Sequence, residues 1–425
     1  MLNVSPALVR SARRFQLPAW SAAQAGLQML VAVLSARWLG PSDRGSLVLA
    51  TTVATLLLLV SGLGVGTGAR VVLAEASTWW TWPRYVALAG TMAGPHALVA
   101  LVVGLPVLGA LTDPDPATQV LFVLYSALAL TASLLREGLH GRGRHRQGIG
   151  LDVGAAAIQL LLTAAVAYAG RLTVATALAI ASGCLALTVA GQLAAGQRGS
   201  GRMRLGCSWR ALVGHGRTLV AFSLPGLVTS LGQSFVIHGD RLVLGAVGSS
   251  AAVGVYSAAS SLAALAWFIP AAFTGVLTRG VAASGSLEAW ERSWKRFVAF
   301  SAVLALVTGS LGTVVFPLLL GADYREGASL VAVLSLAAIP YALHQYDSAA
   351  CQGLRELSAG TLGALTGSVL VVVVLVPVIA AFGATGAAFG MIAVYSAMAV
   401  VSRRRLRGLQ HRAVGARREA VATRA

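Results

Sequence analysis

The chain of 425 residues is 57% apolar and 11% charged, and its formal net charge is +18. Soluble domains carry about 25% charged residues, so the composition excludes a soluble globular protein and predicts an integral membrane protein. The basic residues lie between apolar runs and not in a folded polar domain that could read bases, which excludes a nucleic-acid-binding function.

Twelve apolar segments are predicted to span the membrane, because a spanning helix needs about 20 mainly apolar residues. In chain order they are Phe15–Ala36, Ser46–Ala69, Tyr85–Leu111, Ala117–Leu135, Ile149–Ala169, Leu172–Ala195, Leu219–His238, Ala251–Gly275, Phe297–Leu320, Ala328–Ala350, Leu357–Ala381 and Ala384–Val401. Three arginines precede the first span and no small-residue cleavage site ends it, so we expect a retained span and not a cleaved signal.

The distribution of basic residues predicts the topology. With the N-terminus in the cytoplasm, 27 of the 32 Lys and Arg residues lie in cytoplasmic segments and 5 lie outside. One miscounted span would invert every later loop and break this agreement with the positive-inside rule. We therefore predict an all-α polytopic membrane protein with twelve transmembrane helices and both termini in the cytoplasm.

One passage occurs twice in the chain. "ARWLGPSDRGSLVLA" (Ala36–Ala50) and "DRLVLGAVGSSAAVGVYSAA" (Asp240–Ala259) each follow an apolar segment that begins with "FQLP" or "FSLP". The repeat predicts two six-helix bundles related by a pseudo-two-fold axis along the membrane normal, as in transporters. The alternative is chance similarity between two Ala-, Leu- and Gly-rich hairpins. The predicted parts are an N-terminal bundle (residues 1–196), a cytoplasmic linker (197–218), a C-terminal bundle (219–402) and a basic cytoplasmic tail (403–425).

Four segments carry a resemblance to a known family. They are "ARWLGPSDRGSLVLATTVATLLLLVSGLGVGTG", "DRLVLGAVGSSAAVGVYSAASSLAAL", "FPLLLGADYREGASLVAVLSLAAIPYALHQYDSAACQGL" and "VLVVVVLVPVIAAFGATGAAFGMIAV". Together they resemble the polysaccharide-export, O-antigen-type flippases of the multidrug/oligosaccharidyl-lipid/polysaccharide (MOP) exporter superfamily. The first span lacks the Arg-Asp pair of the peptidoglycan-precursor flippases, which disfavours that branch.

The resemblance implies a flippase of the bacterial cytoplasmic membrane that works by alternating access. Its substrate would be a polyprenyl-(pyro)phosphate-linked oligosaccharide for cell-surface polysaccharide, and its partners would be membrane lipids, a polysaccharide polymerase and glycosyltransferases. A proton- or sodium-coupled drug exporter of the same superfamily is the alternative. A membrane-embedded polymerase or ligase is disfavoured because every predicted outer loop is short.

No enzyme, metal or cofactor is expected from the sequence. Cys184, Cys207 and Cys351 stand apart without metal-ligand spacing, and the Walker A, HExxH and GxSxG motifs are absent. "GLGVGTG" (Gly62–Gly68) superficially matches a phosphate-binding loop, but it lies in a predicted span with no soluble strand before it, which favours helix packing.

Polar residues on the first helix of each half are predicted to line a substrate cavity. They recur at helical spacing on one face and comprise Gln24 and Gln28 in the first span, and Ser230, Gln233, Ser234 and His238 in the seventh. The alternative is hydrogen bonding between helices. Arg37 and Arg241 occupy equivalent outer ends, where they could guide an anionic head group or snorkel to the interface.

Three ionisable residues within predicted spans are candidates for ion coupling. An ionisable side chain in hydrocarbon costs about 2.5–3.5 kcal/mol on insertion scales, so it persists where it pairs, faces a cavity or exchanges a proton. His344 and Asp347 lie one turn apart in the tenth span, and Asp152 lies near the start of the fifth. Structural pairing with a neighbouring helix is the competing interpretation.

Overall fold

The computed structural model describes residues 6–75, 79–198 and 208–422, so Cys207 and part of the predicted linker lie outside the described residues. Fourteen α-helices and no strand occupy these ranges. The helices are α1 (Pro6–Gly62), α2 (Val65–Val72), α3 (Trp82–Val99), α4 (Leu105–Leu111), α5 (Pro116–Gly141), α6 (His145–Tyr168), α7 (Val174–Gln197), α8 (Trp209–Val247), α9 (Ser250–Ala263), α10 (Leu265–Ser284), α11 (Glu288–Leu320), α12 (Gly327–Gly353), α13 (Ser358–Leu370) and α14 (Val376–Ala422).

Twelve membrane crossings can be counted within the described residues. Nine helical segments are long and apolar enough to span a membrane, and α8, broken near Pro225, adds another. Two of the nine are 44 and 53 residues long, about twice what one crossing needs. Each contains a glycine with non-helical backbone, Gly40 or Gly383, where one span ends and the next begins. The predicted all-α polytopic fold is confirmed, and the symmetry axis stays a prediction.

Two spans contain a π-helical turn. The first turn, Ala100–Gly104, separates α3 from α4, and the second, Val371–Leu375, separates α13 from α14. In each case a proline follows two residues after the turn, Pro106 or Pro377. Proline lacks an N–H and its ring clashes with the carbonyl four residues earlier. The wider turn provides room for that carbonyl.

The chain divides into two compact units, Met1–Leu231 and Gly232–Ala425. We call them the N-terminal unit and the C-terminal unit. The division falls inside α8, whereas the predicted C-terminal bundle begins at residue 219. The predicted four-part domain organisation stays a prediction.

The N-terminal unit has a buried core at the ends of α2, α3 and α5. Its centre is the fully buried ring of Tyr85, whose hydroxyl donates a hydrogen bond of 2.8 Å to the carbonyl oxygen of Leu134. Trp82, Leu135 and Leu139 are buried in the same cluster. The core therefore holds in place the last turns of α5, which also carry Arg136 and Glu137, described below.

Helix α2 is a separate short helix because the chain breaks after α1. Leu63 and Gly64 both have positive φ, 47° and 70°, a conformation that glycine adopts without steric cost. At the other end of α2, Gly141 of α5 allows the two backbones to touch. A Cβ at residue 141 would lie 2.6 Å from the carbonyl oxygen of Ala69 and 3.0 Å from the Cα of Arg70.

The substitution Gly141→Ala is expected to destabilise the protein by about 1–3 kcal/mol, the usual cost of overpacking. The added methyl group meets backbone atoms that cannot rotate away, so α2 must move and carry Arg70 with it. The measurement is the thermal unfolding midpoint of the purified protein in detergent. Gly154→Ala is the matched control, because nothing lies within 4 Å of a Cβ there. Equal midpoints for the two variants would contradict the close approach of α2 and α5.

Two arginines that follow α5 donate hydrogen bonds to the C-terminal end of α7. Arg142 donates to the carbonyl oxygen of Gly196, and Arg144 donates to those of Ala195 and Arg198. The last carbonyl groups of a helix have no partners within the helix, so these cationic donors satisfy them and favour the negative end of the helix dipole.

In the C-terminal unit, α12 packs against α9, α10, α11 and α14. Its second half is almost entirely buried and includes Tyr341, His344, Tyr346 and Asp347. Tyr346 stacks on Phe297 of α11, with ring centroids 3.8 Å apart. Polar residues on α12 therefore meet protein and not lipid.

Candidate functional site

A cavity of about 340 Å³ lies within the N-terminal unit, where the end of α1, the start of α2, the second half of α5 and part of α8 meet. This is within the usual range of ligand pockets, about 300–1,000 Å³. We call it the arginine cavity. Its polar lining residues are Thr67, Arg70, Ser133, Arg136, Glu137 and Ser230.

Each arginine of the cavity is held by a carboxylate. Glu137 accepts two hydrogen bonds from Arg70, one from Nε and one of 2.9 Å from Nη2. Arg136 Nη1 lies 3.4 Å from Asp152 Oδ2. The carboxylates are the less exposed partners, with exposed fractions of 15% for Glu137 and 10% for Asp152, whereas Arg70 and Arg136 are 55% and 38% exposed.

This arrangement can bind an anion. A guanidinium has five N–H donors, and Glu137 engages only two of those on Arg70. Arginine donors form charge-assisted, bidentate hydrogen bonds with phosphate. The cavity therefore offers two cationic side chains, each oriented by a carboxylate that is less exposed than its arginine.

The predicted site residues of the N-terminal unit do not lie together: some reach the arginine cavity and others do not. Ser230 lines the arginine cavity, and Asp152 reaches it through Arg136. Gln28 donates a hydrogen bond of 3.3 Å to Gln159 on α6, which is the interhelical contact named above as the alternative. Gln24 is half-buried. Arg37 is exposed, 5.8 Å from the ring centroid of Trp38.

The predicted residues on α8 in the C-terminal unit join polar contacts with α9 and α12. Gln233 hydrogen bonds with the hydroxyl of Tyr341. Arg241 Nη2 donates to Ser260 Oγ at 2.8 Å. Ser234 and His238 are half-buried, and the Nδ1 atom of His238 is buried without a hydrogen-bond partner. The predicted cavity-lining role of these residues stays a prediction.

Asp347 is 1% exposed and its carboxylate has two partners. Oδ1 accepts from Trp290 Nε1 at 3.0 Å, and Oδ2 accepts from Arg403 Nε at 2.7 Å. The Arg403 guanidinium in turn lies 4.3 Å from the ring centroid of Trp294. These contacts favour structural pairing of Asp347, and its role in ion coupling stays a prediction.

His344 contacts a different residue from Asp347. Its Nδ1 lies 2.6 Å from Ser402 Oγ on α14. The two candidates for ion coupling in the tenth span are thus neighbours in sequence that bind separate partners. No group of three or more His, Cys, Asp or Glu side chains among the described residues could hold a metal ion.

The sequence reasoning missed Arg70, Arg136 and Glu137. The predicted second and fourth spans end at Ala69 and Leu135, so the two arginines counted only as loop residues that set the topology, and Glu137 had no predicted role. The one available signal was the position of charges directly after two spans that both end on the predicted cytoplasmic side.

A family model described as polysaccharide biosynthesis protein matches residues 19–278, more than half of the chain. The chain belongs to the polysaccharide biosynthesis protein family. The matched range includes every lining residue of the arginine cavity. No curated protein matches the chain significantly.

Solved structures show the fold of this polysaccharide biosynthesis family member. An inward-facing multidrug resistance MATE family transporter of the MOP superfamily is 15% identical with a TM-score of 0.68, over 91% of this chain and 96% of that chain. The lipid II flippase MurJ in an inward closed conformation is 11% identical with a TM-score of 0.72, over 92% and 87%. MATE in the straight conformation is 16% identical with a TM-score of 0.62, over 93% and 96%. The family match confirms the predicted resemblance to polysaccharide biosynthesis proteins, and these solved structures show the fold.

Proposed function

We propose that the protein is a flippase that moves a polyprenyl-(pyro)phosphate-linked oligosaccharide from the inner to the outer leaflet by alternating access. The arginine cavity in a polysaccharide biosynthesis family member is the observation that carries the proposal. Its two half-exposed guanidinium groups suit a diphosphate, the charged group that such a substrate must bring across the bilayer.

The position of the cavity in the predicted topology supports capture from the cytoplasmic side. Arg70 and Arg136 directly follow the second and fourth spans, whose predicted ends are cytoplasmic. Lipid-linked glycan assembled on the inner leaflet would present its diphosphate at this depth. The protein would then be a multi-pass protein of the bacterial cytoplasmic membrane with both termini in the cytoplasm, and a polymerase and glycosyltransferases would be its partners.

The similarity to a lipid II flippase supports a lipid-linked substrate. The similarity to multidrug resistance transporters favours a second candidate, an ion-coupled exporter of small molecules. The two candidates differ in their cargo: a flippase binds an anionic head group, whereas an exporter of cationic drugs binds a cation. The more exposed members of the two ion pairs are the arginines, whose free N–H donors suit an anionic head group, so the flippase is preferred.

Depletion of the protein in its native host tests the proposal. Lipid-linked glycan is expected to accumulate on the inner leaflet, where an enzyme added to everted membrane vesicles can label it, and surface polysaccharide is expected to fall. Drug susceptibility should stay unchanged. Sensitisation to cationic drugs with intact surface polysaccharide would instead identify an exporter.

A further inference from the structure

The arginine cavity contains its own counter-ions. Arg70 pairs with Glu137 and Arg136 pairs with Asp152, so the four groups have no net charge. Charges with little access to water are tolerated where they are paired, and the arginines provide that pairing for Glu137 and Asp152. The pairs also set the potential that an incoming anion meets.

The carboxylates leave the arginines accessible to a ligand, although Glu137 itself also lines the cavity. Glu137 and Asp152 are the less exposed members of each pair, and the guanidinium groups are the more exposed ones. A diphosphate that enters the cavity can therefore bind donors that the carboxylates leave unused. Each arginine would then contact a carboxylate on one side and a phosphate on the other.

Helix α2 is built to accommodate Glu137. Residue 66 is a glycine, and a Cβ there would lie 2.9 Å from Cγ of Glu137. Any larger residue at this position would clash with the Glu137 side chain. This contact lies in the "GLGVGTG" segment. Within that segment, Gly66 therefore serves helix packing beside a charged pair.

We propose that Glu137 and Asp152 lower the affinity of the arginine cavity for a diphosphate and thereby allow its release. The proposal rests on the proposed flippase function. Both are positioning residues: they orient the guanidinium groups, and their negative charges repel a phosphate bound on the far side of each arginine. A transporter turns over only as fast as its cargo leaves, since release steps limit many turnover rates.

Binding of farnesyl diphosphate to the full-length protein in detergent tests the proposal by surface plasmon resonance. Glu137→Gln keeps the side-chain volume and one acceptor for Arg70 while it removes the charge. We expect it to bind about fivefold more tightly than the wild type, mainly through a longer bound lifetime. Asp152→Asn is expected to act in the same direction, and it serves as the second variant if Glu137→Gln does not fold.

The matched control is Glu288→Gln, which removes a charge from an exposed residue of α11 paired with Arg292 at 3.6 Å. Its affinity should equal that of the wild type. In a vesicle flipping assay, Glu137→Gln should lower both KM and kcat, whereas a merely structural role would leave KM unchanged or raise it.

The outcomes separate the two proposals. If the wild type binds the diphosphate and Arg70→Gln weakens binding, but neither carboxylate variant tightens it, the counter-ion proposal is wrong and the diphosphate site stands. If the wild type binds no diphosphate, or Arg70→Gln binds as well as the wild type, the diphosphate site itself is wrong and the counter-ion proposal falls with it.

Discussion

The double variant Arg70→Gln, Arg136→Gln is expected to lose about 100-fold or more of its lipid-linked glycan transport. A hydrogen bond to a charged group contributes about 1.5–3 kcal/mol, so the loss of one such bond at each arginine reduces binding by at least that factor. The measurement is the initial rate of flipping of a fluorescent lipid-linked glycan in proteoliposomes, corrected for the amount of inserted protein.

Two controls separate binding from folding in this experiment. Removal of the arginines leaves Glu137 and Asp152, which are only 15% and 10% exposed, without a cation, and this itself destabilises the unit. A quadruple variant that also carries Glu137→Gln and Asp152→Asn removes both charges of each pair. It should insert normally but remain inactive. The pair Arg404→Gln, Arg405→Gln removes the same charge from exposed positions of α14 and should transport normally. Wild-type flipping rates in the quadruple variant would contradict the proposal that the arginine cavity binds the substrate.

The substitution Asp347→Asn is expected to destabilise the protein by about 3–5 kcal/mol, the usual result of removing one partner from a buried ion pair. Asp347 is 1% exposed and Arg403 is 18% exposed, so Arg403 would keep its charge with little solvent. The expected observation is a large decrease in the thermal unfolding midpoint in detergent, with a similar decrease for Arg403→Gln.

A double-mutant cycle makes this test specific. The combined variant Asp347→Asn, Arg403→Gln should lose less stability than the sum of the single variants, because each single variant already breaks the pair. Arg404→Gln, the exposed neighbour of Arg403, should leave the midpoint unchanged. If Asp347→Asn instead keeps the wild-type midpoint and loses only the dependence of transport on an ion gradient, Asp347 couples transport to the ion and the structural interpretation is wrong.

The helices were predictable from hydropathy, whereas the breaks within them were not. The second span, Ser46–Ala69, reads as one continuous apolar run, but the structure interrupts it at Leu63 and Gly64. A hydropathy window measures how well side chains partition into lipid and contains no information on backbone torsion angles. A glycine in an apolar run is equally compatible with a continuous helix and with a break.

The candidate site was predictable only in part, because its pairs join residues that are distant in sequence. Asp152 was identified from the cost of an ionisable group in a span, and Ser230 from polar residues at helical spacing on one face. Their neighbours Arg70, Arg136 and Glu137 follow the apolar runs and looked like ordinary loop charges. The contact between Arg70 and Glu137 crosses 67 positions of the chain, and helical periodicity reports only neighbours three or four residues apart.

The π-helical turns at Ala100–Gly104 and Val371–Leu375 change which side of a helix each later residue occupies. Successive residues of an α-helix are offset by about 100°, and a π turn inserts one residue into that count. A helical wheel drawn through either turn therefore assigns the residues beyond it to the wrong azimuth. For these two spans, the lipid-facing and protein-facing sectors must be worked out separately on each side of the insertion.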